Sequence, residues 1–141
     1  MIELLQNKPI QTIFAVEPET KVIEAAQMMA EHNVGALLVM RGEQIVGIVS
    51  ERDYVRRIAA SERSPHDTTC EEIMTRQVKT VTPDTSDEEC MALMTHGRLR
   101  HLPVVAQGQV IGVISIGDLV KDIIHEQQFV IEQLSHYIIA G

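Results

Sequence analysis

Two Ser-x-x-Asp strings, Ser50-Glu51-Arg52-Asp53 and Ser115-Ile116-Gly117-Asp118, hold the residues in this chain best suited to recognition chemistry. An ionised Asp is short, rigid and acceptor-only, so it can take two hydrogen bonds from the neighbouring hydroxyls of a ribose. The same logic places a carboxylate on the ribose in dinucleotide-binding folds. The plain alternative is that Ser and Asp only start a helix, with Ser as the cap and an acid in the first turn. A second cluster, Arg98, Arg100 and His101, sets three potentially cationic side chains within four residues. Guanidinium forks with an imidazole beside them suit a phosphate. A solvated strand edge, kept basic against aggregation, would read the same way. Strand alternation sends Arg98 and Arg100 to one side and His101 to the other.

Other chemistries find little support. The net charge of −8 speaks against a nucleic-acid surface, which runs on clustered Lys and Arg. Cys70 and Cys90 match neither a zinc spacing nor a disulfide framework. Cys90 falls in an apolar helical pattern, where a buried thiol is expected. His32, His66, His96, His125 and His136 have no ligand spacing, so no metal is expected. No nucleophile elbow, zinc-protease motif or P-loop occurs, and the two acids lie in equivalent rather than complementary settings, so no catalysis is expected. No apolar run reaches the length of a membrane span, and no signal-peptide pattern opens the chain. The expectation is a cytoplasmic protein without nucleic-acid or membrane partners.

The elements that must position these residues come in two copies. A shift of 65 positions superposes Val16, Pro18, Thr20 and Glu24 on Val81, Pro83, Thr85 and Glu89. It also superposes Leu37, Val39, Gly47, Ser50 and Asp53 on Leu102, Val104, Gly112, Ser115 and Asp118. In each copy a short strand (Gln11–Val16 in the first) leads to Pro and Thr, and Thr20 is the expected N-cap of a helix reaching about His32. In the second copy Thr85 and Glu88 have the spacing of a capping box. Two β-rich runs follow, Val34–Met40 with Gln44–Ser50 and Leu99–Val105 with Gln109–Ser115, spaced as hairpins. A second helix starts after each Ser. The expected fold is α+β and sandwich-like: two β-α-β-β-α units, residues 8–62 and 73–125, packed sheet to sheet with pseudo-two-fold symmetry. A polar linker is read over residues 63–72. A helical extension over 126–141 carries an apolar stripe interrupted by Gln127, as a cap or a dimer contact.

The repeated unit resembles the cystathionine β-synthase (CBS) domain, and the tandem resembles the pair called a Bateman module. The resemblance rests on Val-x-Pro-x-Thr…Glu in both copies, the apolar hairpins with Gly47 and Gly112, and Ser-x-x-Asp at both strand-to-helix junctions. It is closer still to small stand-alone bacterial CBS-pair proteins, through strings such as Arg98-Leu99-Arg100-His101-Leu102-Pro103. The resemblance implies a non-catalytic sensor binding an adenine nucleotide in a cleft between the units: AMP, with ATP or NAD(H) as alternatives. It implies ribose contacts from Asp53, Asp118, Ser50 and Ser115, and phosphate contacts from Arg98, Arg100, His101 and Arg52. Thr12, Ile13, Val34, Gly35 and Ala36 would meet the base in one site. Val78, Thr80, Leu102 and Pro103 would do so in the other, where core packing is the competing role. Gly35 and Ala36 stand where the second copy has Arg100 and His101, so the two sites should be inequivalent. The resemblance also implies a homodimer and a regulated protein that the sequence does not name. The rival readings are a pure interaction module with a vestigial cleft, and a redox sensor using Cys70 or Cys90.

Overall fold

The computed structural model of the chain describes residues 14–140. They form two compact units, residues 14–78 and 79–140, each with its own apolar core. The chain is α+β, with two small sheets and flanking helices.

In the first unit a short strand, Ala15–Val16 (β1), gives way at Pro18 to the helix Val22–His32 (α1). Thr20 does not cap it. The Thr20 hydroxyl accepts from Glu17 N at 3.1 Å and closes the turn before the helix. The same happens at Thr85, which accepts from Thr82 N at 3.0 Å. The N-cap of that second-copy helix is Ser86, whose hydroxyl accepts from Glu89 N at 3.1 Å. Both caps thus fall one residue beyond the expected threonines, because those hydroxyls are committed to the turn.

The orphan amides at the start of α1 are met by main-chain carbonyls instead. Val22 N donates to Thr68 O at 2.8 Å and Ile23 N to Pro65 O at 3.0 Å. Cys70 N in turn donates to Thr20 O at 2.8 Å. Residues 65–70 are therefore stitched to the first unit, and Cys70 and Ile73, in the short helix Cys70–Ile73 (numbered α3 below), are buried in its core. Thr75 exchanges two main-chain hydrogen bonds with Ile48 at the sheet edge.

The hairpin consists of Ala36–Arg41 (β2) and Gln44–Ser50 (β3), with Gly42 at φ 63° in the turn. One face of β2 sends Leu37 and Val39 into the core with Val22, Ala25 and Met29. After Ser50 comes one helical turn, Glu51–Tyr54 (α2), which widens into a π-turn over Val55–Ala59, where Ala60 N donates to Val55 O. Element α3 follows. Gly47 is required for space. A Cβ there would press on Met74 Sδ and lie 3.0 Å from Thr75 O.

The second unit repeats the plan with Asp87–Gly97 (α4), His101–Ala106 (β4), Gln109–Ser115 (β5) and Ile116–Ala140 (α5). Leu102, Val104, Ile114 and Leu119 fill its core with Cys90 and Met94. One strand is reduced. In the first unit Leu38 N donates to Phe14 O and helps build the parallel β1–β2 ladder. The equivalent residue in the second is Pro103, which has no N–H. Among the described residues only the Val81–Val104 bridge remains there, held by Val81 N to Pro103 O and Val105 N to Val81 O.

Element α5 fuses the second helix of the repeat with the C-terminal extension into one helix of 25 residues. Leu119 and Ile123 anchor its first turns in the core. Asp122, on the same segment, faces Asp87 at the start of α4. A shared hydrogen bond with Asp87 pushes the Asp122 carboxyl up to about 6, helped by partial burial and by the Asp87 and Glu126 charges.

Two predictions follow from this packing. Gly47→Ala is expected to lower stability by about 1–3 kcal/mol, the cost of overpacking, read as a lower denaturation midpoint. Asp122 binds its proton more tightly when folded than when unfolded, so stability should fall as pH rises from about 4 through about 6. Asp122→Asn should remove that slope and melt higher than wild type at pH 7, with the two curves converging below pH 4.

Candidate functional site

Each Ser-x-x-Asp string sits where a hairpin strand ends and a helix begins, and the hairpin register decides what lies beside it. In the first unit Ala36 pairs with Ser50, and Glu51 N donates to Gly35 O at 3.0 Å. In the second, His101 pairs with Ser115, and Ile116 N donates to Arg100 O at 2.8 Å. Two residue groups far apart in sequence are thereby joined at each junction. Arg100 and His101 are brought beside Ser115 and Ile116, at the start of the turn that carries Asp118, and Gly35 and Ala36 beside Ser50 and Glu51, at the start of the turn that carries Asp53.

Both strings form reciprocal caps. Ser50 N donates to Asp53 Oδ2 at 3.0 Å, Asp53 N donates to Ser50 Oγ at 3.2 Å, and the Ser50 hydroxyl donates to the same Oδ2 at 3.0 Å. Ser115 N donates to Asp118 Oδ2 at 3.1 Å, and Asp118 N to Ser115 Oγ at 3.0 Å. The capping role is therefore real at both sites, and the carboxylates are half-buried. It uses one oxygen. Asp53 Oδ1 accepts no hydrogen bond among the described residues.

The cations are arranged differently from strand alternation. Arg98 is not in a strand; it is the C-cap of α4 at φ 53° and ψ 39°, with its amide donating to Met94 O. β4 starts only at His101. Among the described residues Arg41, Arg63 and Arg76 make ion pairs with glutamates, while Arg52, Arg98 and Arg100 make none. Arg56 and Arg57, on the π-turn one turn after Asp53, are also exposed and without an ion pair among the described residues. They stand outside the phosphate candidates named from the sequence, although adjacent arginines in an acidic chain are a visible signal.

Of the base-contacting candidates, Thr12 and Ile13 lie outside the described residues. Leu102 is fully buried in the second core and Pro103 is buried in β4, while Val34 packs against the first core. Val78 is half-buried. Thr80 lines an open, largely apolar groove of about 720 Å³ with Val81, Leu93, His96 and Gly97. In the first unit the matching positions are filled by Phe14 stacked on His32, with ring centroids 4.1 Å apart. Lys79 and Gly97 replace that pair in the second copy, which leaves the groove open.

Cys70 and Cys90 are both buried. Burial, with Glu24 nearby, pushes the Cys70 thiol up to about 11, and burial with Asp87 raises Cys90. The thiolate is the reactive form, so both resist redox chemistry. One carboxylate cluster, Asp87, Asp122 and Glu126, has its oxygens within 4.8 Å of one another. Below about pH 6 the proton on Asp122, hydrogen-bonded to Asp87, relieves the repulsion there. Among the described residues no helix is long and apolar enough to cross a membrane.

The CBS domain model matches residues 5–60 and 70–125. A mitochondrial CBS domain-containing protein of Arabidopsis thaliana, CBSX3, is 44% identical over 125 residues, which cover 85% of this chain and 61% of that protein. YhcV of Bacillus subtilis, also a CBS domain-containing protein, is 33% identical over 76% of each chain. The solved structure of a signal-transduction protein with CBS domains from Burkholderia ambifaria MC40-6 is 50% identical, covers 90% of this chain and 95% of that one, and superposes with a TM-score of 0.86. With two copies of the family's unit, each ending in the same capped junction, the chain belongs to the CBS-domain proteins as a tandem pair.

Proposed function

We propose that the chain is a regulatory module that binds an adenine nucleotide: AMP, or a relative such as ATP or NAD(H). In this reading Asp53 and Asp118 hold the ribose hydroxyls, and the neighbouring arginines hold phosphate. CBS pairs are generally regulatory, non-catalytic modules, and the Burkholderia relative is described as a signal-transduction protein. The observation that carries the nucleotide reading is at Asp53. Its Oδ2 is fixed by the cap, while Oδ1 of the same half-buried carboxylate has no partner among the described residues; Arg52 precedes it, Arg56 and Arg57 follow one turn on, and none of the three makes an ion pair among the described residues. A rigid acceptor beside uncommitted guanidinium groups matches a sugar phosphate.

The two sites should differ. Arg100 and His101 stand at the second junction where Gly35 and Ala36 stand at the first, so phosphate at Asp53 would fall to Arg52, Arg56 or Arg57. Binding shifts a conformational balance by its differential affinity for two states, and the altered surface would be read by a partner protein or by a second copy. A hexameric CBS-CP12 protein of bloom-forming cyanobacteria, 29% identical with a TM-score of 0.75, supports assembly as part of the output. The reading as a pure interaction module draws on the caps, which would be made without any ligand.

A thermal-shift series with AMP, ADP, ATP, NAD(H) and S-adenosylmethionine tests the proposal. At 100 times Kd the gain should be about 2.7 kcal/mol, several degrees for a chain of this size. Asp53→Asn and Asp118→Asn keep an oxygen for the cap and should each weaken binding about 10–100-fold at its own site, by unequal amounts. No response to any of the five ligands would leave the interaction module as the account. Arg98 gives a second test. Its left-handed backbone favours Asn or Gly, so Arg98→Asn should raise stability by up to about 1 kcal/mol while weakening AMP binding. Unchanged affinity would remove Arg98 from the phosphate site.

A further inference from the structure

We propose that the projecting part of α5 pairs in parallel and in register with the same helix of a second copy, with Gln127 meeting Gln127. This inference is independent of the nucleotide reading. Leu119 is fully buried and Ile123 packs against the second core, but every residue from 124 to 138 is exposed. Among them Ile124, Val130, Ile131, Leu134 and Ile138 are between 48% and 75% exposed. Exposed apolar area of this extent on a helix marks an interface, and a helix of this length without tertiary cover is marginal in water.

The spacing identifies what covers it. Val120, Ile124, Gln127, Ile131, Leu134 and Ile138 follow one another at alternating intervals of four and three. This is the spacing of a short coiled-coil seam, just under three heptads long, with Ile124, Ile131 and Ile138 at a positions and Leu134 at a d position, a combination that favours two strands. Between Ile124 and Ile138 the positions that flank the seam are Gln128, Val130, Ser135 and Tyr137, none of them charged. The acids of this stretch, Glu126 and Glu132, lie off the seam. Two identical helices from a chain of net charge −8 therefore meet there without setting like charges together. Gln127 decides the direction. Parallel pairing gives each amide its twin, whereas antiparallel pairing sets d positions against a positions, so Gln127 would face Ile124, Ile131 or Ile138 and leave a buried amide unmatched. Pairing removes on the order of 1,000 Å² from water over both copies, the threshold for a specific interface.

The full chain tests this in solution. Sedimentation or light scattering should give twice the 15.8 kDa chain mass. Ile131→Asp combined with Leu134→Asp should return it to a single chain with unchanged circular dichroism of the two units, since both side chains are exposed in the lone chain. Mild oxidation should cross-link Ile124→Cys to itself, because facing seam positions lie within disulfide reach, while Phe129→Cys, off the seam, should stay uncross-linked. The native thiols are buried and silent. A monomeric wild type, a dimer that survives the double Asp variant, or cross-linking of Ile124→Cys only to Leu134→Cys would overturn the proposal.

Discussion

Everything at the candidate site depends on how a hairpin hands its chain to a helix. The antiparallel register puts the first residue of one strand beside the last of the other, so the residue before β2 or β4 reaches the start of the following helix through its carbonyl. Glu51 N to Gly35 O and Ile116 N to Arg100 O are the same bond made twice. It ties a polar strand entrance to a capped helix entrance, and the reciprocal Ser–Asp cap fixes the carboxylate at that spot. An aspartate with both oxygens in bulk water would carry no such orientation. Fixing one oxygen aims the other, at the cost of half its hydrogen-bonding capacity.

Duplication supplies two such junctions, and divergence makes them unlike. The second copy has Arg100 and His101 at its entrance; the first has Gly35 and Ala36, followed by a π-turn bearing Arg56 and Arg57. The second copy also carries Pro103, whose missing N–H cuts the parallel ladder to one bridge, and it lacks the Phe14–His32 stack. A regulatory module gains from such differences, since two equivalent sites would report the same ligand at the same concentration.

Much of this was legible in the sequence. The hairpins, the junctions and their neighbours follow from apolar alternation and from Gly and Ser at fixed spacings, which survive duplication because they set backbone geometry. The helix caps were misplaced by one residue, since Thr20 and Thr85 can serve a turn or a helix equally well and only the fold chooses. Arg98 was placed in a strand because charge pattern does not reveal a left-handed C-cap. The stitching of residues 65–70 onto α1 uses main-chain carbonyls, which every residue has and no composition displays. At the site, the pairing of each Asp with its Ser is readable; that Asp53 keeps one oxygen without a partner among the described residues is not, because it depends on what the fold brings near.

The central claim is that a held carboxylate grips a ribose diol. Calorimetric titration of the full chain with AMP, and then with its 2′,3′-dideoxy analogue, addresses that grip alone, since base and phosphate are unchanged between the two. The account predicts that the analogue binds about 10–100-fold more weakly, the worth of hydrogen bonds to a charged acceptor. Equal affinity for both would contradict it.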